Sequence, residues 1–295
     1  MTVRAEVFTT AGELADTIAS GAQVTLLDVR WRLDRPDGRD DYRAGHIPGA
    51  VYVDLDNELS DHSVTGRGRH PLPDGAALQR ALRSWGVRDD VPVVVYDDWN
   101  RAGSARAWWV LTAAGLRDVR ILDGGLAAWR SRDGGLEPGD AIPSPGDATV
   151  AHHDLYNGAL GVVTAGELRD VVANGTLVDA RAPERYRGEK EPVDPVAGHI
   201  PGAVNVPATT LLDESGSFLP GARLPARLTD PGADRRRPLA VYCGSGVTAA
   251  IAVAALTAAG REAALFPGSW SQWSADASNP VEVGEPPTPD GGRDS

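Results

Sequence analysis

Residues 44–51 read Ala-Gly-His-Ile-Pro-Gly-Ala-Val, and residues 197–204 repeat these eight residues without a change. Three weaker matches occur in the same order in both halves: Leu-Asp-Val-Arg at 27–30 with Val-Asp-Ala-Arg at 178–181, Val-Val-Tyr-Asp at 94–97 with Ala-Val-Tyr-Cys at 240–243, and residues 122–129 with 266–273, which share a Gly and a Trp. Eight identical residues do not recur by chance. The chain therefore contains two copies of one domain.

Length and composition agree with two globular domains. The chain has 295 residues, and a domain takes about 150. The net charge is -12, which disfavours a nucleic-acid partner because acidic surfaces repel phosphates. The single cysteine, Cys243, excludes an internal disulfide framework and a cysteine-cluster zinc site.

Targeting signals are not evident in the sequence. The first 15 residues carry charges and no long apolar run, so we expect a cytoplasmic protein without a secretory signal. Residues 238–260 contain no charged residue and are long enough to span a bilayer. Pro238, Gly244 and Gly246 interrupt them, so we interpret the segment as a buried strand, a glycine loop and a buried helix. A membrane span is the alternative, and we expect no membrane partner.

Short β-branched runs alternate with helix-like segments in both halves. The predicted strands are 24–29, 93–96, 119–122, 176–179, 239–242 and 263–266. The predicted helices are 75–85, 104–114, 164–173 and 248–259. This alternation predicts an α/β fold with two tandem domains, each a mostly parallel sheet flanked by helices. The predicted divisions are a first domain at 1–133, a linker at 134–158, a second domain at 159–277 and a disordered tail at 278–295.

Cys243 follows the predicted strand 239–242 and precedes Gly-Ser-Gly-Val-Thr at residues 244–248. Ligands of open parallel sheets bind beyond the carboxyl ends of the strands. Two glycines allow the backbone N–H groups to turn inward, and the next helix adds its positive N-terminal end. Such surroundings favour a reactive thiolate. The alternative is a cysteine buried only for packing.

Two other thiolate chemistries fit the sequence poorly. A tyrosine-phosphatase loop needs an arginine six residues after its cysteine to hold phosphate, but residue 249 is alanine. A protease needs a histidine base beside its nucleophile, and nothing near Cys243 indicates a peptide cleft. Phosphoryl transfer is therefore kept only as a third possibility.

The duplication, the two His-Ile-Pro-Gly-Ala segments and the loop at 243–248 resemble the two-domain rhodanese superfamily over about residues 4–275. Within it, the loop is most similar to that of 3-mercaptopyruvate sulfurtransferases. The resemblance implies that Cys243 takes sulfur from a small anionic donor as a persulfide. It also implies that backbone N–H groups of Gly244, Gly246, Val247 and Thr248 stabilise that sulfur. A thiol, such as thioredoxin, or cyanide then accepts it, and the resemblance implies that neither a metal nor an organic cofactor takes part. Thr248 has a second interpretation as a helix cap.

The same resemblance assigns Arg185 to the anionic group of the donor, because a guanidinium suits a carboxylate or an oxyanion. A surface ion pair is the alternative, and Arg187 is the substitute candidate. Mercaptopyruvate enzymes often carry a second arginine further along this loop. Residues 189–194 contain none, which leaves thiosulfate open as the preferred donor.

The resemblance further places Ser245 in a Ser–His–Asp relay with His70 and Asp56 of the first domain, so that the site would straddle both domains. Asp54 is an alternative to Asp56, and a solvated loop histidine is the alternative for His70. Trp31 resembles an aromatic residue that lines the pocket, although plain packing would also explain it.

Several residues have counterparts in both halves, and we interpret these as structural. They are His46 with His199 and Asp28 with Asp179. Asp97 stands where the second half has Cys243, and a carboxylate is no sulfur nucleophile, so the first domain is expected to be catalytically silent. We therefore predict a monomeric sulfurtransferase that uses 3-mercaptopyruvate. The alternatives are a thiosulfate sulfurtransferase and a persulfide relay module loaded by a partner protein.

Overall fold

The computed structural model describes residues 3–225, 228 and 237–284. Its strands are β1 (Phe8–Thr9), β2 (Thr25–Asp28), β3 (Val51–Tyr52), β4 (Val93–Tyr96), β5 (Val119–Leu122), β6 (Thr176–Asp179), β7 (Val204–Asn205), β8 (Leu239–Tyr242) and β9 (Ala264–Leu265). They form two sheets with the orders β1-β5-β4-β2-β3 and β7-β6-β8-β9. Every pairing between these strands is parallel. The α/β fold with two tandem parallel-sheet domains is thereby confirmed.

Helices cover the faces of both sheets. The α-helices are α1 (Val3–Val7), α2 (Ala11–Ala19), α3 (Arg39–Ala44), α4 (Leu55–Glu58), α5 (Gly75–Ser84), α6 (Ala102–Ala113), α7 (Gly125–Arg130), α8 (Leu168–Asn174), α9 (Pro183–Tyr186), α10 (Ala249–Ala258) and α11 (Ser269–Trp273). Short 3-10 helices lie at Leu155–Asn157, Ala165–Glu167, Ala208–Leu211 and Gly221–Arg223. No helix of the described residues is long and apolar enough to cross a membrane.

The two domains share a core through α6 and α10. Nearly all of α6 is buried, as is α10 from Ala249 to Leu256. The residues of α10 are apolar except for Thr257, and a helix that is apolar on all its faces has to be buried on every side. It packs against α6, which buries the polar Ser104 and Arg106 as well as its apolar residues. One hydrophobic cluster accordingly contains Val95 of β4 together with Val241 of β8. This packing brings the carboxyl ends of β4 and β8 to a common cleft.

Residues 278–284, which the sequence analysis places in a disordered tail, pair with the second domain in the structure. The backbone N–H of His199 donates to the carbonyl of Glu282 at 2.8 Å, and the N–H of Glu282 donates back at 3.0 Å. His46 and Glu137 exchange the same two bonds in the first domain, at 3.1 and 2.9 Å. The duplication thus extends further than its obvious matches, because each domain pairs its histidine segment with a following glutamate. Residues 285–295 lie outside the described part.

Candidate active site

Cys243 lies in the loop between β8 and α10, only 2% exposed. Its N–H donates to the Ser269 hydroxyl at 3.1 Å, and its carbonyl accepts the N–H of Trp270 at 3.0 Å. Gly246 has a φ of 77°, and a Cβ there would lie 2.4 Å from the carbonyl oxygen of Pro267. Only glycine fits this backbone conformation at such a close approach. The loop is therefore held from both sides around the sulfur.

The loop after Cys243 presents unused backbone donors. Within the described residues, the N–H groups of residues 244–248 donate to no acceptor. Thr248 occupies the N-cap position of α10, where its side chain makes no capping hydrogen bond. Successive unpaired N–H groups at a helix N-terminus form a site that favours anions. This arrangement can stabilise a negatively charged sulfur on Cys243.

In the corresponding loop of the first domain, the side chain of Asp97 binds the backbone N–H groups. Asp97 accepts hydrogen bonds from the N–H groups of Trp99, Arg101 and Ser104 at 3.0, 3.2 and 3.1 Å. The Ser104 hydroxyl adds a bond of 2.6 Å, and the Arg101 guanidinium lies 2.9 Å from the same carboxylate. A carboxylate thus occupies the position that an anionic sulfur would take in the second domain.

Ser245, His70 and Asp56 form a hydrogen-bonded chain across the domain boundary. His70 Nδ1 lies 2.7 Å from the Ser245 hydroxyl, and His70 Nε2 lies 3.1 Å from an Asp56 carboxylate oxygen. The Trp31 indole N–H donates to that oxygen at 3.0 Å. Since a carboxylate only accepts, the proton resides on Nε2 and Nδ1 accepts from Ser245. The structure therefore brings together four residues that the sequence analysis placed in the site.

The loop that carries His70 rests directly on the second domain. Gly68 has a φ of 84°, and a Cβ there would lie 2.4 Å from the Gly268 carbonyl oxygen. The N–H of Arg69 donates to the Ser271 hydroxyl at 2.9 Å. The backbone of one domain thereby fixes the position of His70 relative to the loop of the other.

Burial and charge set the protonation of this pair. Burial of His70, with further contributions from the Arg106 and Arg69 cations, lowers its pKa, although Asp56 opposes the shift. Partial burial by itself would raise the pKa of Asp56. Its bonds with His70 and Trp31 outweigh that effect and lower the pKa. At neutral pH the relay therefore consists of an ionised carboxylate and a neutral imidazole that can receive a proton.

A cavity of about 240 Å³ opens beside this chain and is lined by both domains. The predicted site residues that line it are Trp31, Arg185, Gly244, Ser245 and Thr248. The other six candidates are not lining residues. Cys243, His70, Gly246 and Val247 are buried, Asp56 contacts His70, and Arg187 binds Glu189 through Nε at 2.7 Å.

Two guanidinium groups flank Gly244 at the cavity. A Cβ on Gly244 would lie 3.3 Å from Arg69 Nη2 and 3.4 Å from Arg185 Nη1. Arg185 binds Glu191 at 2.6 Å and Asp194 at 3.4 Å, and Arg69 binds Asp194 at 2.6 Å. The sequence analysis missed Arg69, although its position next to His70 could have indicated it. The first domain thus places a second guanidinium beside Arg185, whereas residues 189–194 contain no arginine.

The histidines and aspartates that recur in both halves bind partners within their own domains. The imidazoles of His46 and His199 bond through Nδ1 to the carbonyls of Tyr42 and Tyr186, at 3.0 and 2.8 Å. The buried carboxylates pair locally as well: Asp28 with Arg30 and Asp179 with Arg181. In the described residues, no group of three or more His, Cys, Asp or Glu side chains could hold a metal ion.

Comparisons with known proteins place both halves of the chain in one family. The model of the rhodanese-like domain matches residues 10–132 and 164–276. The "Putative thiosulfate sulfurtransferase SseB" of Mycobacterium tuberculosis is 59% identical over 285 residues, which cover 96% of this chain and 99% of that protein. The 3-mercaptopyruvate sulfurtransferase of Escherichia coli K12 is 37% identical over 266 residues, which cover 88% of this chain and 92% of that protein.

A solved structure shows the same architecture. The crystal structure of SseA from Escherichia coli, described as a 3-mercaptopyruvate sulfotransferase with the rhodanese fold, matches with a TM-score of 0.76 and 34% identity. The match covers 90% of this chain and 98% of that one. With a matching family model in each half and relatives that align over nearly its whole length, this chain belongs to the rhodanese family.

Proposed function

We propose that this protein is a sulfurtransferase that takes sulfur from 3-mercaptopyruvate onto Cys243 and passes it to a thiol, such as that of thioredoxin, or to cyanide. The Cys243 thiolate attacks the donor sulfur and forms an S–S bond. The donor's C–S bond breaks, and its electron pair leaves as the enolate of pyruvate. The acceptor then attacks the outer sulfur, and the S–S bond breaks to regenerate the thiolate.

The Ser245–His70–Asp56 chain is the observation that carries this proposal. An enolate leaving group must gain a proton at carbon, and the donor's S–H can supply it. Ser245 and neutral His70 are hydrogen-bonded at 2.7 Å beside the cavity, where they can move that proton. The sulfite released by thiosulfate needs no such proton. A relay beside the sulfur loop therefore favours the mercaptopyruvate reaction.

Donor binding is assigned to Arg185 and Arg69. Both guanidinium groups face the cavity beside Gly244, and a planar fork of N–H donors fits a carboxylate. Their present partners, Glu191 and Asp194, keep both cations in place before the donor arrives. Thiosulfate is the second candidate donor, because the M. tuberculosis relative carries that name and the same two arginines suit a sulfur oxyanion.

Turnover of both donors by the wild type and by Ser245→Ala tests the proposal. We expect faster turnover of 3-mercaptopyruvate in the wild type. In the variant we expect that rate to fall by about 10²-fold, the lower range for losing a proton-transfer group, with the thiosulfate rate almost unchanged. Faster thiosulfate turnover in the wild type, or an equal loss for both donors in the variant, would reverse the assignment.

Incubation with donor alone distinguishes an enzyme from a relay module loaded by a partner. We expect a mass increase of about 32 Da, one sulfur atom, as befits a persulfide. Cys243→Ser should show no increase, because the chain has no other cysteine. An unmodified wild-type protein would support the relay module instead.

A further inference from the structure

Arg106 is a fully buried arginine at the meeting point of the two domains. It lies in α6 of the first domain and is 0% exposed. Its Nη2 donates to the carbonyls of Leu59 and His70, both at 3.1 Å, and its Nη1 donates to the Gly246 carbonyl at 3.5 Å. One guanidinium therefore contacts three separate segments of the site.

Arg106 lacks the carboxylate partner that other buried arginines have. Arg30, Arg101 and Arg181 are paired with aspartates at 2.8, 2.9 and 2.6 Å. Within the described residues, no acidic side chain forms a salt bridge with Arg106, and its Nε has no hydrogen-bond partner. A buried cation without a counter-charge is strongly unfavourable. The position therefore requires an explanation beyond packing.

Cys243 and Tyr156 are ionisable groups near Arg106 whose anionic forms would interact favourably with its cation. Burial lowers the pKa of Arg106 to about 10, and the interactions with these two groups only partly oppose that shift. The guanidinium is therefore charged at neutral pH. His70 is the third titratable group nearby, and the Arg106 cation favours its neutral form. A thiolate or persulfide at Cys243 would provide the negative charge that the pocket lacks.

We infer that Arg106 positions the relay and supplies the fixed positive charge for the sulfur anion. Leu59 directly follows α4, which carries Asp56, so the three carbonyls belong to the Asp56 segment, to His70 and to the Cys243 loop. The positioning role rests on the proposed sulfur transfer. The electrostatic role concerns only the ionisation of Cys243 and does not depend on the donor.

Alkylation of Cys243 by iodoacetamide at a series of pH values tests the electrostatic role. In Arg106→Met we expect about tenfold slower alkylation at pH 7 and a midpoint at higher pH, because removing a close opposite charge raises the pH at which a group ionises by roughly one unit. Arg101→Lys is the matched control, since Arg101 is equally buried in the same region but paired with Asp97, and it should keep the wild-type midpoint. A wild-type midpoint in folded Arg106→Met would overturn this role.

Arg106→Lys tests positioning separately and covers the case in which Arg106→Met does not fold. Lysine keeps the charge but cannot reach three carbonyls in a fixed fork. With mercaptopyruvate as the donor, we expect a lower kcat and an unchanged KM, together with the wild-type alkylation midpoint. A wild-type kcat would overturn the positioning role, and a shifted midpoint would overturn the electrostatic one. If the wild type transferred no sulfur, the proposed function would fail while the alkylation result stood.

Discussion

His70 is the residue whose protonation decides whether the relay can accept a proton. It is 4% exposed, and its two ring nitrogens lie within hydrogen-bond distance of Ser245 and Asp56. Burial is the largest cause that lowers its pKa below the ordinary 6.5. The imidazole is therefore neutral, with Nδ1 as an acceptor, throughout the neutral range.

With mercaptopyruvate as the donor, the acid limb of kcat should accordingly have its midpoint below pH 6.5, the ordinary value for histidine. As the pH falls through the lowered pKa, His70 gains a proton and can no longer receive one from Ser245. Folding stability should change in the same direction. Between the folded pKa and 6.5 the unfolded chain binds more protons, so stability falls as the pH falls. A pH–rate profile with a midpoint above 6.5 would contradict the neutral relay.

At the scale of elements, the loops after β4 and β8 occupy equivalent positions in the two domains, but one begins with Asp97 and the other with Cys243. Asp97 neutralises buried Arg101 and accepts the loop N–H groups, so that loop is complete by itself. With Cys243 at the equivalent position, the N–H groups of residues 244–248 are left without acceptors in the described structure. The N–H groups of the first loop donate to Asp97, whereas those of the second loop are available to a ligand.

Asp97→Ala should therefore destabilise the protein by about 3–5 kcal/mol, because it leaves a buried guanidinium without its counter-charge. Urea denaturation measures the change. Asp97→Asn is the matched control, since it keeps one carbonyl acceptor for the loop N–H groups and should cost less than the alanine variant. A loss below about 0.5 kcal/mol in Asp97→Ala, within the range of ordinary surface substitutions, would mean that the loop does not depend on this carboxylate.

The elements were largely predictable, and the contacts between distant segments were not. The strands at 93–96, 119–122, 176–179 and 239–242 match their predicted bounds, because continuous apolar runs between turn residues carry a strong local signal. Arg69 and Arg106 have no such signal. Arg69 lies beside Gly244 and Arg106 binds the Gly246 carbonyl, and both glycines are far away in the chain. A single arginine in a sequence does not indicate such a distant neighbour.

At the scale of the whole molecule, the cavity exists only because the first domain faces the second. Trp31, Arg69 and Trp99 come from the first domain, and Arg185, Ser245 and Thr248 come from the second. Arg69 also binds Asp194 across the boundary at 2.6 Å, while Arg185 shares that carboxylate at 3.4 Å. In the proposed reaction, the donor's anion would therefore contact both domains at once.

Arg69→Ala should weaken binding of the mercaptopyruvate donor, so that KM rises roughly 10- to 100-fold with little change in kcat. This is the effect expected when a charge-assisted hydrogen bond of roughly 1.5–3 kcal/mol is lost from both ground and transition states. Arg185→Ala should act similarly. Because both arginines share Asp194, the double variant should deviate from additivity by at least about 0.5 kcal/mol. Arg67→Ala is the control from the same loop, since Arg67 stacks on Tyr156 away from the cavity and should leave KM unchanged. A wild-type KM in Arg69→Ala would confine the anion site to the second domain.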